Sequence, residues 1–256
     1  MTAATNVTLE SLGFNLAPTE PTKEWAKQKI VMAGPPKCGK TKFWASAGEK
    51  AWFLRLESGF NHVKTSGTDC VDFNDVEKAI DRLFKAKVAG IFPWETLVID
   101  PASRLLDFMS EETITRGRQK FPNSEIYDIG DIGKGTGWYI YKCLIKDFLK
   151  RLEGIPCAVV LVFHIHTEER NEEGSTKNKY KRDIVSVSEK IGGPIREWAD
   201  HILHIRHAYV GDIECRKMVT QGSKTVEAGS RMKLPSEMRW DADDLKNYTE
   251  FRKLFT

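Results

Sequence analysis

The sequence lacks any apolar run of the ~20 residues a membrane-spanning helix needs; its longest are Ile30–Ala33 and Cys157–Phe163. Its opening stretch, MTAATNVTLESLGF, has no basic segment followed by an apolar one, so no secretory leader is expected and a cytoplasmic location is. The five cysteines (Cys38, Cys70, Cys143, Cys157, Cys215) are an odd number with no CxxC pair. That argues against a disulfide framework or a thiolate zinc site and suits a reducing compartment. Charge of one sign is also scarce: 39 basic against 36 acidic residues leave a net +3. Bulk electrostatics therefore do not point to nucleic acid, and such a partner would have to be met by a local basic patch. There is no internal repeat, no low-complexity block and no Ser/His/Asp or Cys/His arrangement, and the six histidines do not fall at metal-ligand spacings.

What is present is an ordinary globular composition, 41% hydrophobic and 29% charged over 256 residues, enough for one large α/β domain or two small ones. Residues 1–28 are polar, carry Pro18 and Pro21, and read as an N-terminal arm; residues 29–256 read as one domain. Within it apolar strands alternate with helical patterns. Strands are expected at Lys29–Ala33, Ala51–Leu56, Thr96–Ile99 and Cys157–Phe163. Helices are expected at Thr41–Ala47, after an Asn74/Glu77 capping pair, near Arg104–Ile114, and over the Trp138, Tyr141, Ile145, Phe148, Leu152 stripe. Residues 115–136 read as a long loop. Residues 167–183 are strongly polar around a Glu-Gly-Ser turn. His201–Val210 and Ile213–Thr220 read as a hairpin around Gly211-Asp212, and the tail from Asp241 reads as a helix capped by that residue. The alternation predicts an α/β fold: a mostly parallel sheet flanked by helices, with antiparallel strands added at the C-terminal end.

The sharpest signal is Gly34-Pro35-Pro36-Lys37-Cys38-Gly39-Lys40-Thr41, which fits GxxxxGK[ST] between a strand and a helix. Glycines let the backbone curl so that its N–H groups point at phosphate oxygens, and the helix start adds positive potential. Lys40 would reach the β- and γ-phosphates of ATP and the Thr41 hydroxyl would ligand Mg²⁺, with Lys42 opening the helix beside them. A phosphate loop needs a carboxylate on the metal side, and Asp100 ends the strand TLVID. Glu57 ends AWFLRLE, where it would face the ligand crevice and polarise the attacking water. His164 ends the strand CAVVLVF, with His166 two residues on; either is placed to bond the γ-phosphate.

Those four elements, GPPKCGKT, LRLE, TLVID and VVLVFH in this order, resemble the RecA-type branch of P-loop ATPases. More narrowly, they resemble the phage-encoded RecA-like nucleotide-binding proteins, a family that includes single-domain annealing proteins and recombinases of the Sak type. The late segments Ile191-Gly192-Gly193-Pro194, Ala199–Leu203 and Gly229–Pro235 add to the likeness, which spans roughly residues 29–240. The resemblance implies a RecA-like core, ATP and Mg²⁺ as cofactors, Lys40, Glu57 and His164 as catalytic groups, and a cation, Arg231 or Lys233, acting on a neighbour's nucleotide. Where the phage branch usually shows a Lys two residues before Arg231, this chain has Gly229.

It further implies single-stranded DNA contacts in the segments after the Asp100 and His164 strands. The first offers Arg116, Arg118, Lys120, Phe121 and Lys134; the second offers Lys177, Lys179, Tyr180, Lys181 and Arg182 beside an acidic run from Glu168 to Glu173. Implied partners are other copies in a ring or filament with ATP between subunits, and a single-strand binding protein; no membrane is implied. A Phe14-Asn15-Leu16-Ala17 segment matches the FxxA pattern some RecA-like recombinases dock on the next subunit, or is simply part of the arm. The activity implied is ATP hydrolysis coupled to phage DNA recombination or annealing, in the host cytoplasm. Two other readings stand beside it: another ATP-driven DNA machine, such as a packaging or helicase-loading ATPase, and a non-catalytic nucleotide-binding regulatory module.

Overall fold

The computed structural model describes residues 22–133, 135–172, 178–210, 213–240 and 243–256. Short apolar runs form its centre. Strands β1 (Lys29–Gly34), β2 (Ala51–Arg55), β3 (Ser66–Asp69), β4 (Thr96–Asp100), β5 (Ala158–Asn171) and β7 (His201–Val210) lie in the order β7-β1-β5-β4-β2-β3, every neighbouring pair parallel. Antiparallel β8 (Ile213–Val219) and β10 (Glu237–Trp240) extend the sheet beyond β7. Short β9 (Gly229–Ser230) also pairs with β7, and β6 (Lys179–Val185) pairs with the far half of β5. This is the mixed α/β fold, a mostly parallel sheet flanked by helices with C-terminal antiparallel strands, that the alternation predicts.

Strand parity sorts the core onto two faces. Val31, Ala33, Leu54, Ile99, Leu161 and Phe163 pack under α2 (Phe73–Val88), α3 (Ala102–Lys120), α4 (Thr136–Leu152) and α5 (Glu189–Trp198). Ile30, Met32, Phe53, Val98, Val160, Val162 and Ile205 pack under α1 (Lys40–Ala45) and α6 (Asp244–Lys253). Parallel strands covered on both sides are why these runs are continuously apolar rather than alternating. The second face is aromatic: Phe43 and Trp44 of α1 meet Trp240, Tyr248 and Phe251 at centroid distances of 4.9–6.2 Å. Trp25 joins them, so the last residues of the expected arm are packed into the domain; its indole N–H donates to Thr96 Oγ1 at 3.0 Å. Full burial of such a ring is worth roughly 1.5–3 kcal/mol, which ties the phosphate-loop helix firmly to the C-terminal helix. Among the described residues no helix is long and apolar enough to cross a membrane.

Several expectations are corrected. Helix α3 does not stop near Ile114 but runs to Lys120, so Arg116, Arg118 and Lys120 are helical rather than in a loop. Its buried stripe continues through Thr113 to Gly117, where a Cβ would lie 2.5 Å from Ile132 Cδ1; the packing of that later loop residue holds the extra turns. Helix α2 is capped by Asp72, which accepts from Asp75 N at 2.8 Å, not by Asn74, and α6 is capped by Asp243. The strand expected to end at Phe163 runs on through His164 to Asn171, and its polar half pairs with β6 as a β-ribbon. The polar edge strand β3 carries no periodic signal and is found only in the structure, as is helix α5, whose Ile191, Ile195 and Trp198 stripe is interrupted by Gly192, Gly193 and Pro194.

Candidate active site

The phosphate loop leaves β1 at Gly34 and enters α1 at Lys40. Two left-handed residues shape it, Lys37 (φ 61°) and Gly39 (φ 97°), and a Cβ at Gly34 would sit 2.9 Å from Ile205 O. The loop thus needs glycine at Gly34 for a close backbone approach and at Gly39 for its turn. Pro35 is half-buried, Pro36, Lys37 and Lys42 are exposed, and Cys38 is buried. The first amide in the α1 ladder is that of Phe43, bonded to Gly39 O at 2.9 Å. The amides before it are the ones a helix start offers to an anion.

Lys40 is almost fully buried, and its Nζ donates to Gly34 O (2.9 Å) and Pro35 O (2.7 Å). Burial holds its pKa below the usual lysine value, opposed by the nearby Cys38, Asp100 and Glu57. Burial pushes the Cys38 thiol up despite the adjacent Lys40.

Three strand ends complete the site by parity. In β4, Asp100 shares a face with Thr96 and Val98; in β5, His164 shares it with Val160 and Val162 and is level with Gly34. Glu57 is extended (φ −144°, ψ 166°), so it continues the alternation of Ala51, Phe53 and Arg55 on that same face. The bond from Leu56 N to Asp100 O, 3.1 Å, holds it beside Asp100. Thr41 Oγ1 donates to Asp100 Oδ2 at 2.6 Å. Asp100 is buried and its pKa is pushed up to about 6, chiefly by burial; the Thr41 bond and Lys40 pull it down and Glu57 adds to the rise. His164 is half-buried, and its Nδ1 is buried with no hydrogen-bond partner among the described residues. Burial, then Lys40, lower its pKa, and Glu57 raises it. Glu57 is solvent-exposed. Lys40, Thr41, Asp100, His164 and Glu57 are thereby brought to one edge and one face; His166 is exposed on the adjoining ribbon.

The donor set fits Mg²⁺. A hydroxyl and a carboxylate stand in contact, both hard oxygen donors, and the carboxylate is buried with its described side-chain partner being Thr41 alone. Such a carboxylate is destabilised as it stands and would be relieved by a cation.

The remaining expected residues lie elsewhere. Arg231 is at the opposite edge of the sheet, where β1 begins: it donates to Asp200 Oδ1 (2.9 Å) and Glu197 O (2.6 Å), while Asp200 Oδ2 accepts from Lys29 N. Lys233 is exposed nearby. Arg116 is paired with Glu112 (2.7 Å), and Arg118 donates to Ile126 O (2.9 Å). Lys120 lies over the Phe121 ring. On the ribbon, Arg182 faces Glu168 and Lys181 faces Glu169, Lys179 Nζ is 3.5 Å from Glu169, and Tyr180 lies under Lys224. Lys134, Lys177 and Phe14–Ala17 fall outside the described residues.

One neighbour of the loop has no motif to announce it. Arg216, on β8, donates from Nη1 to Cys38 O at 2.8 Å. Only the cross-strand register, which sets Arg216 between His207 and Trp240, could have indicated it.

None of the curated proteins compared with the chain matches it. A family model described as an AAA domain matches residues 26–232, most of the chain, and spans every strand and helix from β1 through β9. The phosphate-loop sequence, the buried Asp100 carboxylate bonded to Thr41 and that match agree: the chain belongs to the AAA domain family and is a nucleotide-binding P-loop ATPase.

Proposed function

We propose that the protein is a RecA-like, Mg²⁺-dependent ATPase that binds single-stranded DNA and promotes recombination or annealing, working as an assembly of copies. The observation that carries the hydrolytic part is the convergence of Lys40, Thr41, Asp100, His164 and Glu57 on one face of the carboxyl edge of the sheet. Thr41 and Asp100 would hold Mg²⁺, which would supply neutralisation of charge on the triphosphate. The loop amides and Lys40 bind and orient the triphosphate, Lys40 giving up its bonds to Gly34 O and Pro35 O to do so. Glu57, exposed beside Asp100, takes the proton of the attacking water. His164 bonds the γ-phosphate and transmits its presence to the ribbon that continues from its own strand.

DNA contact is assigned to the same flank, because both the α3–α4 hairpin and the β5–β6 ribbon leave from strands ending at the site. The hairpin exposes Tyr127 (74%) and Tyr139 (69%), rings a base can stack on. Arg231, being at the far edge, is assigned to a neighbouring copy's nucleotide. The cross-strand pairing of Glu168 with Arg182 and Glu169 with Lys181 favours a second reading, in which the ribbon contacts a protein instead of DNA. Phosphate release with and without single- or double-stranded DNA, measured beside light scattering, separates them. Stimulation by single strands together with assembly supports the first. Turnover indifferent to any DNA supports the second, and no turnover at all rejects hydrolysis.

A further inference from the structure

The phosphate loop has a polarity. Asp100 and Glu57 lie on strands to one side of β1, so the terminal phosphate of a bound nucleotide belongs on that side and the nucleoside end on the other, toward β7, β8 and β10. On that other flank stands Arg216. Its partner strands place it directly between His207 and Trp240, and its guanidinium lies 5.3 Å from the Trp240 ring centroid. Trp240 is itself buried, packed on Phe43 of α1 at 4.9 Å and tied through its indole N–H to Asp244 at 3.1 Å. The guanidinium is thus held on a rigid aromatic shelf anchored to the phosphate-loop helix.

It is also seated against the loop. Besides the bond to Cys38 O, Arg216 Nη1 lies 2.2 Å from where a Cβ on Gly39 would be, so a side chain at position 39 would collide with it. The turn at Gly39 needs glycine for its left-handed φ, and the guanidinium lies against its bare Cα. A guanidinium has five N–H donors, and among the described residues the one hydrogen bond from Arg216 is that to Cys38 O. The arginine is half-buried, pre-oriented and short of acceptors beside an anion site. No carboxylate is paired with it among the described residues.

We propose that Arg216 is a second cationic contact for the bound nucleotide, donating to the α-phosphate end of the polyphosphate from the same chain. This rests on the ATPase reading above and adds to it a recognition residue supplied by the C-terminal strands. A contact at the α-phosphate end is shared by ATP and ADP, unlike one at the γ-phosphate.

The test is the dissociation constants of ATP and ADP with Mg²⁺ for the full chain, by fluorescence with labelled nucleotides, for wild type, Arg216→Gln and Arg216→Lys. Thermal melting without nucleotide monitors the fold. Loss of a charged hydrogen bond predicts that Arg216→Gln weakens both nucleotides about tenfold to a hundredfold and equally, with Arg216→Lys in between. Unchanged constants for a folded Arg216→Gln would overturn the proposal and leave the ATPase reading intact, as would weakening of ATP alone. Should Arg216→Gln fail to melt cooperatively, Arg216→Lys decides, since an outer brace tolerates lysine and a planar donor contact does not. Wild type that binds neither nucleotide rejects the ATPase reading itself.

Discussion

Thr41 and Asp100, fifty-nine positions apart, share a 2.6 Å hydrogen bond that joins the start of the phosphate-loop helix to the end of a strand two places across the sheet. It holds a buried carboxylate whose ionised form is unfavourable in the protein as it stands. A bound cation would relieve that cost, which is measurable in the protein as it stands.

Replacing Asp100 by Asn should raise stability while removing function. A carboxyl raised from 3.8 to about 6 by burial disfavours its charged form by up to about 3 kcal/mol at neutral pH. The folded value lies above the unfolded one, so the wild type is favoured below 3.8 and loses that advantage as pH rises through 6. Asp100→Asn should therefore melt several degrees higher at pH 7.5, with the gap closing toward pH 4, and its nucleotide affinity should no longer respond to Mg²⁺. Equal melting at pH 7.5, by calorimetry, would contradict the burial argument.

Glu57→Gln should keep nucleotide affinity and lose turnover by about 10²–10⁴-fold, the usual contribution of a positioned base. Lys40→Ala should lose both. Single-turnover phosphate release distinguishes them, and a Glu57→Gln protein hydrolysing at the wild-type rate would remove Glu57 from the mechanism.

His164→Ala should bind ATP with little change but lose most of any stimulation by single-stranded DNA, because the histidine shares its strand with the ribbon. Stimulation that persists in full would mean that the γ-phosphate is sensed elsewhere.

His201 predicts an acid limb. It is fully buried, Nδ1 2.9 Å from Ser230 Oγ and Nε2 2.8 Å from Gln28 Oε1, and burial lowers its pKa to about 4. The folded value lies below the unfolded 6.5, so its contribution is present above 6.5 and lost as pH falls toward 4. Asp100 works the opposite way over much of that range. Urea midpoints should consequently fall more steeply on acidification in Asp100→Asn than in wild type; parallel curves would count against both assignments.

Replacing Tyr127 and Tyr139 together by Ala should weaken single-stranded DNA binding by one or two stacked bases, about 1–3 kcal/mol each. Both rings are largely exposed, so melting should not move. Anisotropy with a labelled oligonucleotide reads the change, and unaltered affinity would move the DNA contact off this hairpin.

How much of this was legible in the residues follows from the range of the forces involved. GPPKCGKT could be read because its glycines, its lysine and its helix start answer demands made by adjacent backbone. Asp100 and His164 could be read because each ends an unbroken apolar run. The cap of α2 lies two residues before the expected Asn74, since Asp72 and Asn74 are both good caps and only the start of packing at Phe73 chooses between them. The end of α3 is not legible because residues 115–120 lack apolar periodicity, and the turns they form are held by Ile132 packing against Gly117.

The sequence by itself determined the local chemistry of this protein: a loop built for phosphate, strands apolar enough to be covered on both sides, and acidic or imidazole groups at their ends. Only the tertiary structure decided the order β7-β1-β5-β4-β2, which sets those groups on one edge and sends Arg231 to the other. It alone brought Arg216 to Cys38 from 178 residues away. The physical reason is that backbone conformation is dictated by near neighbours, whereas strand order and register are settled by burial summed over the whole sheet.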